Sequence, residues 1–376
     1  MKNIMKIILP KKIKIFFIEH RYMFKIIRNN YKGKLNALIK QNKSKDLSFD
    51  DSKKWVKKIV KLAYSNPKYI ELGKEFATAK ITIIKDIEIF FNDVIAICIE
   101  KNDLIKLKKF ISHHRKIGVN KFIILDNESN DGTVEWLLKQ EDVILLQTKT
   151  PYSSIRRVAW INRIIAHYGY NRWYIVLDSD ELLVYNNYEN KSIKDVVKYF
   201  ENKNIVRARS LMLEMYAKDE YYESGDINKF YDECIYFDTD TYFLKKREEF
   251  INISGGPRKR VFDISTCLTK YPLFYFRKND VICSSHFIYP YKDNLNIDCS
   301  LIVKHYKFLP GEIKKYREIV KKENYYNRSF AYKKIISVID KTKKLNFIYD
   351  NSCKYQNSKS LDILTLYKKI NWDSNN

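Results

Sequence analysis

Four short apolar runs follow one another through the first half of this chain, at 94–99, 121–125, 143–146 and 173–177. None shows the alternation of a half-exposed strand, so each reads as a strand buried on both faces. Amphipathic helices separate them. The first follows Asn102 and Asp103, carries Leu104, Leu107, Phe110 and Ile111 on one face, and stops at Gly118; the others span 133–139 and 153–168. Strand and helix alternating at this spacing make right-handed crossovers and a parallel sheet covered by helices. An α/β fold is therefore expected.

In such a sheet, ligands bind outside the carboxyl ends of the strands. Asn102, Asp126 and Asp178 all fall at those ends. The fourth run has the sequence RWYIVLDSDELLVY and passes straight into Asp178, Ser179, Asp180 and Glu181. In an extended backbone Asp178 and Asp180 would project to the same side. Two carboxylates so close repel unless a cation sits between them, and hard oxygen ligands suit Mg²⁺ or Mn²⁺ that also holds substrate phosphates. An acidic turn exposed to water is the plainer alternative. Asp126 lies roughly 25 residues past the first strand, where nucleotide-binding α/β domains place an acid that contacts ribose or base. The glycine-rich phosphate fingerprints are absent. A bound diphosphate would then be neutralised by a metal instead of being cradled by a loop.

The formal charge of +25 on 376 residues allows a nucleic acid, an anionic membrane surface or a phosphorylated substrate as partner. The lysines are spread along the whole chain instead of forming one tail, so no nucleic-acid partner is expected. The six cysteines form no C-x-x-C pair and no zinc module, as for reduced structural thiols in a cytoplasmic protein. Residues 1–30 lack the apolar run that a membrane span or a signal peptide needs. They read as a packed helix or as a basic amphipathic segment on the inner membrane face. Three regions are expected: a basic, mainly helical N-terminal extension at 1–92 with helices at 50–64 and 71–80, a central domain at 93–310, and a helical C-terminal extension at 311–376.

Several separated motifs share one resemblance. HHRKIGVNKFIILDNESNDGT and RVAWINRIIAHYGYNRWYIVLDSDELLVY, with the later GGPRKRVF, TKYPL, SSHFIYP and VKHYKFLPGE, are similar to glycosyltransferase family 2-like bacterial enzymes related to glycosyltransferase family 92. The resemblance covers about residues 94–350. It implies a GT-A fold, a Rossmann-like mixed sheet flanked by helices, and a nucleotide-sugar donor with Mn²⁺ or Mg²⁺ held by an Asp-x-Asp motif. Asp178 and Asp180 match that motif, with Glu181 beside it, and Asp126 matches the acid that contacts the nucleoside. The acceptor would be a glycan or a lipid-linked glycan in cell-surface polysaccharide or lipopolysaccharide synthesis. The enzyme would be cytoplasmic, with contact at the inner-membrane surface.

The second half yields further candidates. A strand is read at 205–216 with Glu214 near its end, and a variable loop at 221–242. Gly255, Gly256 and Pro257 read as a turn before Arg258, Lys259 and Arg260, where backbone and cations could approach a phosphate. Related GT-A enzymes supply a His as a further metal ligand; His286 is the first candidate and His305 the second. If the reaction inverts configuration, a carboxylate must take the acceptor proton. Glu214 is preferred, then Glu248 and Glu249. His113 and His114 fall on the first helix, where packing explains them as well as chemistry does. Two other classes compete: a different metal-dependent phosphoryl-transfer enzyme, and a basic nucleic-acid-binding protein.

Overall fold

The computed structural model describes residues 58, 59, 62 and 68–373, apart from 219–226, 229, 296–297, 310–311, 324–325 and 343–344. Its centre is a nine-stranded mixed sheet. In chain order the strands are β1 (Thr82–Lys85), β2 (Ile95–Glu100), β3 (Lys121–Asp126), β4 (Val143–Gln147), β5 (Arg172–Val176), β6 (Glu181–Val184), β7 (Arg207–Glu214), β8 (Thr269–Phe276) and β9 (Cys299–His305). Their order across the sheet is β1-β4-β3-β2-β5-β8-β7-β9-β6. The strands β4, β3, β2 and β5 are mutually parallel. β8 runs antiparallel between β5 and β7, β9 returns parallel to β7, and β6 closes the edge antiparallel to β9.

The unbroken apolar runs have a simple cause. Alternate residues of β2, β3 and β4 feed opposite faces, and both faces are covered. Ala96, Cys98, Phe122, Ile124, Val143 and Leu145 enter one core. Ile95, Ile97, Ile123, Leu125, Ile144 and Leu146 enter the other. Helix α2 (Leu104–Lys116) and, beyond the short α3 (Thr133–Leu138), α5 (Ile193–Asn202) cover the first face. Helix α1 (Lys68–Thr78) and α4 (Ser154–Tyr168) pack together over the second. Ser153 caps α4 by accepting from the Arg156 amide.

The expected helices at 133–139 and 153–168 and the first four strands are present, with ends displaced by a residue or so. Other parts differ. The N-terminal stretch expected to be mainly helical contains β1, which extends the sheet beside β4, and α1 shares a core with α4. Isolated periodicity could not show that a short edge strand would find a partner. The segment 1–30 and almost all of the helix expected at 50–64 lie outside the described residues. Helix α6 (Gly256–Phe262) stands where only a turn and a basic run were expected. Helices α7 (Glu312–Lys322) and α8 (Tyr326–Thr342) follow β9. Beyond them the described residues form only a short strand and one 3-10 helix, Ser358–Ile363. Ser352–Lys354 pairs with Tyr236–Asp238, and Leu361, Leu364, Tyr367 and Ile370 close the first core. Among the described residues no helix is long and apolar enough to cross a membrane.

Candidate functional site

The strand order reverses between β2 and β5. From β2 the chain moves outward through β3 and β4, then returns to β5 on the other side of β2. A crevice is expected outside the carboxyl ends at such a switch point. One of about 600 Å³ lies there. Glu100, Asn102 and Asp103 after β2, Asn127 after β3, and Asp178 and Asp180 after β5 line it. Arg157 of α4, His305 at the end of β9, and Lys314, Lys315 and Tyr316 of α7 complete its walls.

The acidic segment is a turn, not an extended strand, because the Glu181 amide donates to the Asp178 carbonyl at 3.1 Å. Both aspartates line the crevice, brought there by a turn instead of an extended backbone, and each has its own partners. Asp178 Oδ1 accepts from Arg157 Nη2 at 2.5 Å and Nε at 3.1 Å. Lys270 Nζ stands 3.4 Å from Asp178 Oδ2 and also donates to both oxygens of Glu181. Burial would raise the Asp178 carboxyl, but Arg157 and Lys270 outweigh it and hold the group well below the usual carboxylate range. Asp180 instead faces His305, with Nε2 3.6 Å from Oδ2. Burial raises this carboxyl too, and His305 brings it far down.

His305 sits in a row that the sheet register creates. It pairs with Glu181 on β6 and with Glu214 on β7, so three polar side chains share one level of three adjacent strands. Its Nδ1 is 3.6 Å from Glu214 Oε1 and makes no hydrogen bond. Burial would push the imidazole down, but Asp180 and then Glu214 hold its pKa above the ordinary value. Asp180, Glu181 and His305 each offer a ligand atom within 4.8 Å of the others. Two carboxylates and an imidazole suit Mn²⁺ or Mg²⁺. The buried His305 ring, with no hydrogen-bond partner at Nδ1 and a carboxylate behind it, fits an imidazole free to ligate through Nε2.

The other candidates are placed as follows. His286 lies in the loop between the short strands Val281–Ile282 and Ile288–Tyr289; its Nδ1 is 2.8 Å from the Thr269 carbonyl, and it is not part of the Asp180 group. Burial lowers its pKa to about 4. Asp126 is fully buried and does not line the crevice; its carboxylate accepts from the amides of Glu128 and Ser129 and from Gln147 Nε2 at 3.0 Å. It thus shapes the loop that presents Asn127. Asn102 does line the crevice, with φ 55°, and its Oδ1 accepts from the Asn130 amide at 2.8 Å.

Glu214 is buried behind His305 and paired with the Arg258 guanidinium, so it stands outside the crevice lining. Burial raises its carboxyl, and Arg258 more than offsets this. Arg258 is spent on that pair. Glu248 is exposed in the turn of the hairpin formed by Tyr242–Lys246 and Ile251–Gly255, and Glu249 uses its carbonyl to accept from Asn294. His113 Nε2 is 2.7 Å from the Leu183 carbonyl, and His114 Nε2 accepts from the Leu183 amide at 3.4 Å. These histidines satisfy the open backbone of the edge strand β6.

Sequence reasoning passed over Arg157 and Lys270. A signal existed for both. Arg157 falls on the apolar stripe of α4 with Ile161 and Ile164, and Lys270 is the one cation in the run TKYPLFYF. A lone charge on a buried face needs a buried partner.

No protein-family model matches this chain, and no curated protein matches it in sequence. Among solved structures, HddC from Yersinia pseudotuberculosis is similar over 53% of this chain and 77% of its own, at 10% identity and a TM-score of 0.26. A likeness that loose carries no argument about activity.

Proposed function

We propose that this chain is a glycosyltransferase, which moves a sugar from a nucleotide-sugar donor to a glycan or lipid-linked acceptor with the help of Mn²⁺ or Mg²⁺. The observation that carries the reading is the group Asp180, Glu181 and His305, of which Asp180 and His305 line a crevice at the switch point of the sheet and Glu181 is buried behind them. Asp180 and His305 would hold the ion, with Glu181, paired with Lys270, adding negative charge beside them. A bound divalent cation would stabilise the negative charge that builds on the departing diphosphate.

The protein's own groups have distinct tasks in this reading. Glu214, itself neutralised by Arg258, stands 3.6 Å behind the His305 ring, where a carboxylate would orient the imidazole once it held an ion. Lys270 fixes Glu181 and, with Arg157, keeps Asp178 ionised and in place. Asn102 and Asn127, after the neighbouring strands β2 and β3, form the nucleoside side of the crevice. Lys314 and Lys315 of α7 also line the crevice, Lys315 paired with Asp103, and their charge would draw in an anionic ligand.

A thermal-shift titration tests this. At a hundred times its Kd, a UDP- or GDP-linked sugar should raise the melting temperature by roughly 3–4 °C, and only with Mn²⁺ or Mg²⁺ present. Asp180→Asn and His305→Ala should remove the shift while the apo melting temperature stays within a few degrees. A panel of donors that gives no shift, or a shift indifferent to metal and to Asp180→Asn, would sink the proposal.

A further inference from the structure

The hairpin Tyr242–Lys246/Ile251–Gly255 has one embedded strand and one bare strand. The inner strand is tied to the fold, since the Leu268 amide donates to the Ile253 carbonyl at 2.7 Å and the Ile253 amide donates to Thr269 Oγ1 at 2.8 Å. The outer strand is exposed on both faces from 243 onward. Phe243 is 62% exposed and Leu244 55%. Lys245, Lys246 and Arg247 follow directly, all exposed, and no ion pair of theirs is found among the described residues. Side chains alternate along a strand, so each face of the ribbon carries one large apolar residue and then one or two cations.

Lysines on an edge strand are a common guard against pairing with another sheet. That accounts for Lys245 and Lys246. It does not account for Phe243 and Leu244, which would favour such pairing. An apolar pair at one end of a ribbon and three cations at the other match a different surface: acyl chains beneath anionic headgroups. The exposed Glu248 and the half-buried Glu249 in the turn offset two of these charges and leave the run net positive. The adjoining residue, Tyr242, packs on Gly256 beside the Glu214 carboxylate, so the ribbon begins next to the candidate site.

We propose that strand Tyr242–Lys246, with Arg247, docks this protein on a negatively charged bilayer, Phe243 and Leu244 entering the boundary between headgroups and acyl chains. The cations lie against the lipid phosphates. Docking in this way needs neither donor nor metal, so it stands or falls apart from the proposed transfer reaction.

The experiment is co-sedimentation of the full chain with vesicles, without nucleotide or divalent ions, at about 0.15 M salt, where the screening length is near 8 Å. Vesicles of phosphatidylcholine with a third phosphatidylglycerol should bind the protein, and pure phosphatidylcholine should bind it far less. Phe243→Ser/Leu244→Ser and, separately, Lys245→Gln/Lys246→Gln/Arg247→Gln should each weaken binding by about tenfold or more. Because these side chains are exposed, both variants should melt where the parent does, and a melting curve checks this. If the serine variant binds like the parent, the overall charge alone holds the protein there and the proposal fails. Absence of binding to anionic vesicles, or capture of a soluble protein by this strand instead, overturns it as well.

Discussion

Glu100, at the end of β2, is 5% exposed, and its register partner on β3 is Asp126. Burial, followed by the Asp126 charge, pushes its pKa up to about 9. The group is therefore protonated near neutrality in the folded chain and ionised in the unfolded one. A pKa raised on folding makes stability greatest below the unfolded value, near 4.5, and stability is lost as pH rises toward about 9. Glu100→Gln keeps a donor toward Asp126 and removes the titration. It should gain roughly 3 kcal/mol at pH 7 relative to its own value at pH 4.5, compared with the parent. Urea unfolding at several pH values checks this, and parallel pH profiles for the two proteins would contradict it. Asp178 shows the limit of reading single residues. Its place at a strand end is legible, but its pairing with Arg157 depends on a helix that returns from the far side of the sheet.

At the scale of elements, the junction between the hairpin and α6 has a backbone that only glycine permits. Gly255 has φ +113°, and a Cβ there would come within 1.9 Å of the Thr241 carbonyl oxygen. That contact is with backbone, so no side-chain rotation relieves it. Gly255→Ala should cost about 3 kcal/mol or more and loosen the Arg258–Glu214 pair that α6 supports. Denaturation, together with faster amide exchange in the hairpin, reports both effects; a stable variant would show that the turn can rearrange. The glycine pair is plain in the sequence, but the helix that follows it is not. Arg258, Lys259 and Arg260 have no apolar periodicity, and α6 forms because Pro257 opens it and Phe262 enters a core built with Phe308 and Phe347.

At the scale of the whole molecule, the last residues act as a strap. Leu361, Leu364, Tyr367 and Ile370 are all buried against the first core. Each buried side chain of this size contributes about 1.5–3 kcal/mol, so together they approach the total stability of an ordinary domain. Truncation after Asn351 should give an aggregating chain or one with a much lower melting temperature. A soluble truncated protein with unchanged melting would refute the strap. The sequence by itself determined the first four parallel strands, the α/β class and the acids at their carboxyl ends. Local apolar periodicity within a dozen residues suffices for these. The tertiary structure alone decided which groups meet: His305 with Asp180 and Glu214, Arg157 and Lys270 with Asp178, and the C-terminal strap with the sheet. All but Arg157 with Asp178 join elements far apart in the chain, and register and strand order, which fix them, leave no periodic trace in the residues themselves.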